Sequence, residues 1–496
     1  MKQRGRHRRR RRGRALRAVL AGAGLALTAA ATLISASQAT VTDDPGALKP
    51  LTSPAELDRL RLTEQPVPER SLDRLASAMG RPVGVGAVLR SADHTLRTED
   101  ACTAEERKAL PVEPAAARAY CWDTADAATR EWRPRSVTTS GDAEADGRWG
   151  AHRVILSGWT HLGGGADRDL ARVAFVNADD PDRLTYTWAL LAVPVDGGRD
   201  YRGLASHVSG MVWYQDKLLV TTSGTEPEAL YVYDLRRIQR ATVTTDAIGR
   251  VPGGWSAHGY RWVLPAVAAY RPTEGRCDDV TGTPGTTTTP GATGVTDPNR
   301  TPGKHSSGKS TDSPDLTGPA GSTGSTASAD SPDPKAPCPN GLSLDRTSAP
   351  ASLVASQTSR RGSGRHTRLW RYSFSADPAR SGLLAADSSG TVTADAAYET
   401  KADGVRGVLS RRTGPTGPDR WYLSRAAGAH GAHGTLWRQD LHGAQATECG
   451  SSDDTHRCWG DGTGSLSYWE STGELWSLSG RTLFALPLSS VEREMR

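Results

Sequence analysis

The chain has 496 residues, and its 61 Lys or Arg and 55 Asp or Glu give a formal net charge of +6. Ten of the basic residues lie within the first 17 positions, where there is no acidic residue. Removing those ten from 61 leaves 51 basic against 55 acidic residues, which argues against a nucleic-acid partner.

The basic N-terminus is followed by 22 residues without a charge, which end in Ser37-Gln38-Ala39. This order predicts a signal peptide over residues 1–39, with cleavage after Ala39. The uncharged run continues to Thr42, so an uncleaved membrane anchor is the alternative. Either way the body lies outside the cytoplasm, secreted or at the cell surface, and touches the membrane only through this segment.

Residues 40–130 form a partly helical N-terminal extension in this prediction. Ser53 with Glu56, and Thr103 with Glu106, have the spacing of a helix capping box. Elsewhere in the body, evidence for helices is poor.

Residues 131–496 carry a recurring pattern of short β-strands. It is clearest in "SGMVWYQDKLLVTTSG" at 209–224, "RGVLSRRTGPTGPDRWYLSRAAG" at 406–428 and "GSLSYWESTGELWSLSG" at 464–480. Each is a small residue and a strand, a polar turn, a second strand, and then a third. Weaker units occupy 152–195 and 351–400. We therefore predict an all-β fold, a β-propeller of about five blades or of six, over a generic all-β domain with similar hairpins.

The pattern is interrupted at residues 279–337 by a segment rich in Gly, Pro, Ser and Thr that has no aromatic residue. Such a composition cannot bury enough apolar surface to order itself, so we predict a disordered insertion within the propeller. Cysteines lie at both of its ends, which favours an excursion with a crosslinked base over a hinge between domains.

Outside the cytoplasm, an even number of cysteines indicates disulfides. Fifteen pairings of six cysteines exist, and proximity in sequence favours Cys102 with Cys121, Cys277 with Cys338, and Cys449 with Cys458. No spacing typical of a zinc site occurs, so we predict no metal and no cofactor.

Several stretches resemble a family of secreted actinobacterial proteins that are predicted to be propellers and have no assigned activity. They are "YCWDTADAATREW" at 120–132, "GMVWYQDKLLV" at 210–220, "HGYRWVLPAV" at 258–267, "DRWYLSR" at 419–425 and "LSYWESTGELWSL" at 466–478. The resemblance runs from about Ala119 to the C-terminus, except for the insertion. It implies a fold and an extracellular location, and no catalytic residue.

Candidate ligand-binding residues follow from the predicted fold. The innermost strand of each propeller blade begins near the axial channel, so polar residues just before those strands are well placed to meet a ligand. That rule selects His207, Asp403, Arg406 and Asp461, and His258 is added from "HGYRW". Each could instead satisfy a turn or a neighbouring strand.

Three other polar stretches are candidate binding sites, but we interpret them as turns or surface loops. They are "GAHGAHG" with His430 and His433, "NADDPDR" at 177–183, and the basic loop "SRRGSGRHTR" at 359–368. The motifs of hydrolases, metalloproteases and nucleotide-binding proteins do not occur.

The sequence therefore favours a disulfide-stapled binding or scaffold module, expected to be a monomer, whose partner is an envelope polymer, a glycan or a protein. The alternative is a secreted propeller hydrolase or lyase of lactonase or glycan-cleaving type. A channel that gathers several acids or histidines would favour the enzyme. The catalytic residues of such an enzyme are unknown from sequence.

We predict that the insertion is dispensable for folding. Replacing residues 279–337 by a short Gly/Ser linker, with Cys277 and Cys338 retained, should change the melting temperature by only a few degrees, because loop-closure entropy depends weakly on length. Calorimetry of both chains measures this. A collapse of stability would mean that the segment is structured or joins two domains.

Overall fold

The computed structural model describes residues 44–222, 226–277, 335–361, 364–412, 417–426, 433–449 and 456–495. The predicted signal peptide at 1–39 and residues 279–334 of the predicted insertion lie outside these residues. The last residues of the predicted insertion, 335–337, are described and include the short strand Lys335–Ala336. Within the described parts of the chain, no helix is both long and apolar enough to cross a membrane.

The fold is mostly β. We distinguish five antiparallel arrays of four strands and call them sheets 1 to 5, although sheets 1 and 2 are joined into one larger sheet by the parallel pairing of Trp262–Pro265 with Ala189–Ala192. Sheet 1 contains Trp132–Thr139, Val154–His161, Ala171–Asn177 and Thr185–Val195. Sheet 2 contains Met211–Tyr214, Lys217–Thr221, Leu230–Asp234 and Trp262–Pro272. Sheet 3 contains Gly341–Asp345, Ser352–Arg361, Gly364–Ser373 and Ala396–Thr400. Sheet 4 contains Val405–Arg412, Asp419–Arg425, Thr435–Gln439 and Ala444–Ala446. Sheet 5 contains Leu466–Trp469, Glu474–Ser479, Thr482–Pro487 and, from the N-terminal part of the chain, Arg118–Cys121.

The remaining elements are short. Four further strands near the N-terminus are Lys49–Pro50, Leu62–Pro66, His94–Thr95 and Arg97–Thr98. Seven others are Asp200–Gly203, Gln239–Arg240, Ile248–Val251, Gly254–Ala257, Arg276–Cys277, Lys335–Ala336 and Thr391–Val392. The α-helices are Pro54–Asp58, Glu69–Met79, Val85–Leu89, Ala104–Lys108, Thr124–Ala128, Ser140–Ala143 and Leu488–Glu494. Single 3₁₀ turns are Glu99–Ala101, Gly165–Asp167 and Pro378–Arg380.

The hairpins predicted from the repeat pattern are confirmed. Met211–Tyr214 and Lys217–Thr221 pair across a two-residue turn in which Gln215 has a positive φ of 53°. Such a turn matches the twist of the strands that it joins. The prediction misses the first strands of sheets 1 and 3, since Pro134 interrupts the former and the latter has only five residues.

The first strands of the five sheets contact one another in a closed cycle that runs from sheet 1 to sheet 5 and back to sheet 1. Glycines lie at points where two of these strands approach each other. A Cβ atom on Gly407 would lie 2.3 Å from the carbonyl oxygen of Gly464, and one on Gly464 would lie 2.5 Å from that of Arg135. Likewise, a Cβ atom on Gly210 would lie 2.7 Å from the amide nitrogen of Leu342. These strands are therefore closer together than any side chain would allow.

Hydroxyl groups connect neighbouring first strands that do not pair through their backbones. Ser465 Oγ accepts a hydrogen bond from the amide of Val137 at 2.6 Å and donates one to the carbonyl of Val137 at 3.0 Å. The amide of Trp213 donates to Thr138 Oγ1 at 3.0 Å. The polar backbone groups at the centre are thus satisfied without a continuous ladder.

The N-terminal segment contacts all five sheets, and we call residues 46–121 the girdle. Its carbonyl at Gly46 accepts from Gln439 of sheet 4. Its strands then pair in turn with sheets 3, 2 and 1, and Arg118–Cys121 completes sheet 5. The segment is therefore more than the partly helical extension that the sequence predicts. Its strands also cover sheet edges that would otherwise be open to other chains.

One of the two predicted capping boxes forms. Thr103 and Glu106 cap Ala104–Lys108 reciprocally. Ser53 makes no side-chain cap, although Pro54–Asp58 is helical as expected.

The three predicted disulfides are present: Cys102–Cys121, Cys277–Cys338 and Cys449–Cys458. The first joins Cys102 of the girdle to the strand at the end of the girdle, which completes sheet 5. Beside the second, Arg276–Cys277 and Lys335–Ala336 run parallel as paired strands. Disulfides of this number are typical of an oxidising compartment.

We predict that the central glycines cannot be replaced. Gly407→Ala and Gly464→Ala place a Cβ atom against backbone, so we expect each to lower the free energy of unfolding by about 1–3 kcal/mol or more. Gly84→Ala is the control, because Gly84 has a φ of −95° and no atom within 4 Å of the new Cβ. Urea denaturation measures all three, and equal stabilities would contradict the close approach of the first strands.

Candidate functional site

A cavity of about 340 Å³ opens at the end of the cycle where the first strands begin. Residues from all five sheets line it: 133–135 in sheet 1, 207 and 209 before sheet 2, 339 and 340 before sheet 3, 405 and 406 in sheet 4, and 461–464 before sheet 5. The Cys277–Cys338 disulfide also contributes to its wall. We call this space the central cavity.

Three of the five residues selected from the sequence line the central cavity, namely His207, Arg406 and Asp461. Asp403 is not among its lining residues and forms an ion pair with Arg425, with 2.7 Å between Oδ1 and the guanidinium. The structure thus brings together residues that precede or open the first strands of sheets 2, 4 and 5.

His258 lies away from the central cavity. It occupies a turn with a φ of 54°, and its Nδ1 is 3.0 Å from the carbonyl oxygen of Asp246 and 3.9 Å from Asp167 Oδ1. Its ring neighbours those of Trp132 and Tyr260. These contacts are with residues of sheet 1 and with the turns beside sheet 2.

His207 pairs with a carboxylate at the mouth of the central cavity. Its Nε2 is 2.8 Å from Asp169 Oδ1, and both side chains are less than one-third exposed. The carbonyl of Asp169, which has a positive φ of 62°, accepts from the amide of Ser206. The dyad is therefore held by the backbone just before sheet 2.

Arg135 and Arg406 occupy equivalent irregularities in two different sheets. In sheet 1, Pro134 pairs with Trp159 and Ser136 with Gly158, so Arg135 is the extra residue of a β-bulge. In sheet 4, Val405 pairs with Arg425 and Gly407 with Ser424, and Arg406 is the extra residue. Bulges change the direction in which a side chain points and are frequent beside functional sites.

Positively charged side chains outnumber carboxylates in the lining of the central cavity. Burial, followed by the positive charges of Arg133 and Arg406, lowers the pKa of Arg135 to about 10, against a weaker opposing effect of Asp169. Arg135 Nε is inaccessible to solvent and has no hydrogen-bond partner. Among the described residues, no ion pair links Arg133, Arg135 or Arg406 to a carboxylate.

A fourth arginine of the wall, Arg481, is committed to the fold. Its guanidinium donates to the carbonyls of Asp126, Thr129 and Trp132. Burial, and then the charges of Arg133 and Arg172, lower its pKa. Arg481 therefore adds positive charge to the wall while holding the start of sheet 1.

The described lining holds few acid–base groups. Asp461 is its one carboxylate and His207 its one imidazole, and His207 is hydrogen-bonded to the carboxylate of Asp169 beside the cavity. Two clusters elsewhere have the spacing of metal ligands. One contains the Cys102–Cys121 disulfide. In the other, Asp126 already accepts bonds from Arg172, Tyr186 and Trp188.

The lining also has no aromatic side chain among its described residues. Of the 14 tryptophans, 13 are buried and Trp149 is partly buried. An exposed aromatic platform for stacking a sugar ring is therefore not built from tryptophan in this chain.

The other polar stretches weighed from the sequence form local contacts where they are described. Asp179 accepts from His152 Nδ1 and from the amide of Arg153, and Asp180 accepts from the amide of Asp182, as in an ordinary turn. His433 Nε2 contacts the carbonyl of Leu110. His430 and the side chains of residues 359–365 lie outside the described part of the chain.

Sequence reasoning missed Arg133, Arg135 and Asn340. All three follow from the same rule that selected Arg406, once Trp132–Thr139 and Gly341–Asp345 are recognised as first strands. The available signal was the alternation of apolar and polar residues in "WRPRSVTT", which Pro134 interrupts.

Comparisons with protein-family models, with curated proteins and with solved structures found no match. The candidate site therefore depends on the geometry of this chain alone.

We predict that Arg135 is retained at a cost to stability. Arg135→Gln should leave the free energy of unfolding unchanged or raise it by up to about 2 kcal/mol in low-salt buffer, because it removes a like charge from a crowded site. Arg172→Gln is the contrast, since Arg172 is buried, lies 3.0 Å from Asp126 and packs 3.6 Å over Trp188. That change should cost about 3–5 kcal/mol. Equal losses in the two variants would show that Arg135 is structural.

Proposed function

We propose that the chain is an exported five-bladed β-propeller that serves as a binding module, with its ligand in the central cavity. The five sheets would be the blades, and their cyclic first strands would surround the axis. Completion of sheet 5 by Arg118–Cys121 supports this architecture, since it joins the two ends of the strand array within one blade. We include membership of the secreted actinobacterial family in the proposal.

Export is supported by three disulfides and by the predicted signal peptide at residues 1–39.

The observation that carries binding over hydrolysis is the composition of the central cavity. Arginines supplied by two different sheets converge in it, and its described lining has a single carboxylate and a single histidine. A cavity of this kind can hold a ligand, and its described lining lacks the pair of facing carboxyl groups of a glycosidase, since Asp169 beside it is hydrogen-bonded to His207. The expected partner is an envelope polymer, which fits an exported protein.

We predict that filling the central cavity abolishes binding to the cell envelope. Ser209→Trp and Asn340→Trp, made separately, would obstruct it from sheets 2 and 3. Each mature protein is mixed with insoluble actinobacterial cell-wall fragments and sedimented. Wild type should sediment with the fragments, and both variants should lose at least about tenfold in apparent affinity, equivalent to 1.4 kcal/mol.

Leu441→Trp is the matched control, because Leu441 is 54% exposed and does not line the cavity. Circular dichroism and retained disulfides verify that the variants fold. Undiminished sedimentation of both folded variants would overturn the proposal. Steady release of soluble fragments by wild type, lost in the same variants, would instead support a hydrolase or lyase.

A further inference from the structure

We propose that the ligand of the central cavity presents an oxyanion, a carboxylate or a phosphate, and that Arg135 and Arg406 hold it between them. This inference rests on the proposed function and names the chemistry of its ligand.

The first argument is the placement of the two arginines. Both are the extra residues of β-bulges, and the bulged strands open sheets 1 and 4, which are not neighbours in the cycle. Gly464 lies between them, since its Cβ position is 2.5 Å from Arg135 O and it crowds the Cβ position of Gly407. Two separate local distortions thus bring one arginine each to the wall of the same cavity, where Arg135 is partly buried and Arg406 is exposed.

The second argument is the unbalanced charge of the cavity. Four arginines line it against one carboxylate, Asp461, while Asp169 beside the cavity is hydrogen-bonded to His207. Within the described chain Arg133, Arg135 and Arg406 have no ion-pair partner. The chain after residue 17 has more acidic than basic residues, so the positive potential is local. Concave sites lined by one sign of charge concentrate counter-ions of the opposite sign.

The third argument is the match between guanidinium groups and oxyanions. Guanidinium groups offer planar pairs of donors that match the oxygens of a carboxylate or a phosphate. A ligand oxyanion would accept hydrogen bonds from both side chains and reduce the repulsion between Arg135 and Arg406.

The size of the space limits what can enter. At about 340 Å³ the cavity is near the lower bound of ligand pockets, so it suits a small anion or the terminal acidic group of a polymer. The absence of aromatic lining argues against recognition of a neutral sugar by stacking.

The test is calorimetric titration of the full mature chain with inorganic phosphate, with glucuronate as the carboxylate, and with glucose as a neutral counterpart. Binding of phosphate or glucuronate but not of glucose is expected, and the stronger of the two identifies the source of the oxyanion. Arg135→Gln and Arg406→Gln should each weaken it by about 10- to 100-fold, as expected for loss of a charge-assisted hydrogen bond. Arg250→Gln, at an exposed arginine outside the cavity, should bind like wild type.

The outcomes separate this inference from the proposed function. If wild type sediments with cell-wall fragments and Ser209→Trp does not, while neither anion binds and both Gln variants sediment normally, the binding module stands and the oxyanion site is wrong. If an anion binds with the expected dependence on both arginines but Ser209→Trp still sediments, the site stands and envelope binding through the cavity is wrong. Equal weakening by Arg250→Gln would reduce the effect to overall charge and overturn the inference.

Discussion

The close approach of the five first strands is the constraint on which the rest of the fold depends. Where Gly407, Gly464 and Arg135 meet, backbone lies against backbone, and a single methyl group would overlap a carbonyl oxygen. Strands packed this closely, but not hydrogen-bonded as a sheet, must satisfy their amides in another way. Ser465, bonded to both polar groups of Val137, shows how hydroxyl side chains do so. The close packing of the first strands therefore requires small or hydroxyl-bearing residues where they meet.

The same constraint explains why polar chemistry collects at one end of the cycle. Where a first strand has glycine at the point that passes its neighbours, it can carry a large side chain only before or beside that glycine. Arg135 and Arg406 do this through bulges. Arg406 immediately precedes Gly407, and the carbonyl group of Arg135 is itself the point that Gly464 approaches. Both residues line the central cavity, and among the described residues neither forms an ion pair with a carboxylate. Burial and the nearby positive charges disfavour the charged form of Arg135, and a bound anion would offset that effect.

The hairpins were predictable because they are local. Alternation in "MVWYQDKLLV", together with its polar turn, specifies two paired strands whatever lies elsewhere in the chain. The first strand of sheet 1 was not predictable in this way, because "WRPRSVTT" acquires its strand character from Val154–His161 on one side and from Ser465 on the other. His207, Arg406 and Asp461 could be selected because their strands were recognised. Arg135 was missed because its strand, Trp132–Thr139, was not recognised.

The girdle shows how a cycle of five sheets can close when its ends are far apart in sequence. Arg118–Cys121 pairs with Thr482–Pro487 across more than 360 residues, and an unassisted contact of that separation carries a large entropic cost. The girdle divides this long separation into shorter ones. Along the sequence it pairs with sheets 3, 2 and 1 ahead of its pairing with sheet 5. The Cys102–Cys121 disulfide then holds the closing strand to the girdle itself. At the central cavity, Cys277–Cys338 acts on the same principle, since a crosslinked base makes the length of the sequence between its cysteines nearly irrelevant to the cycle.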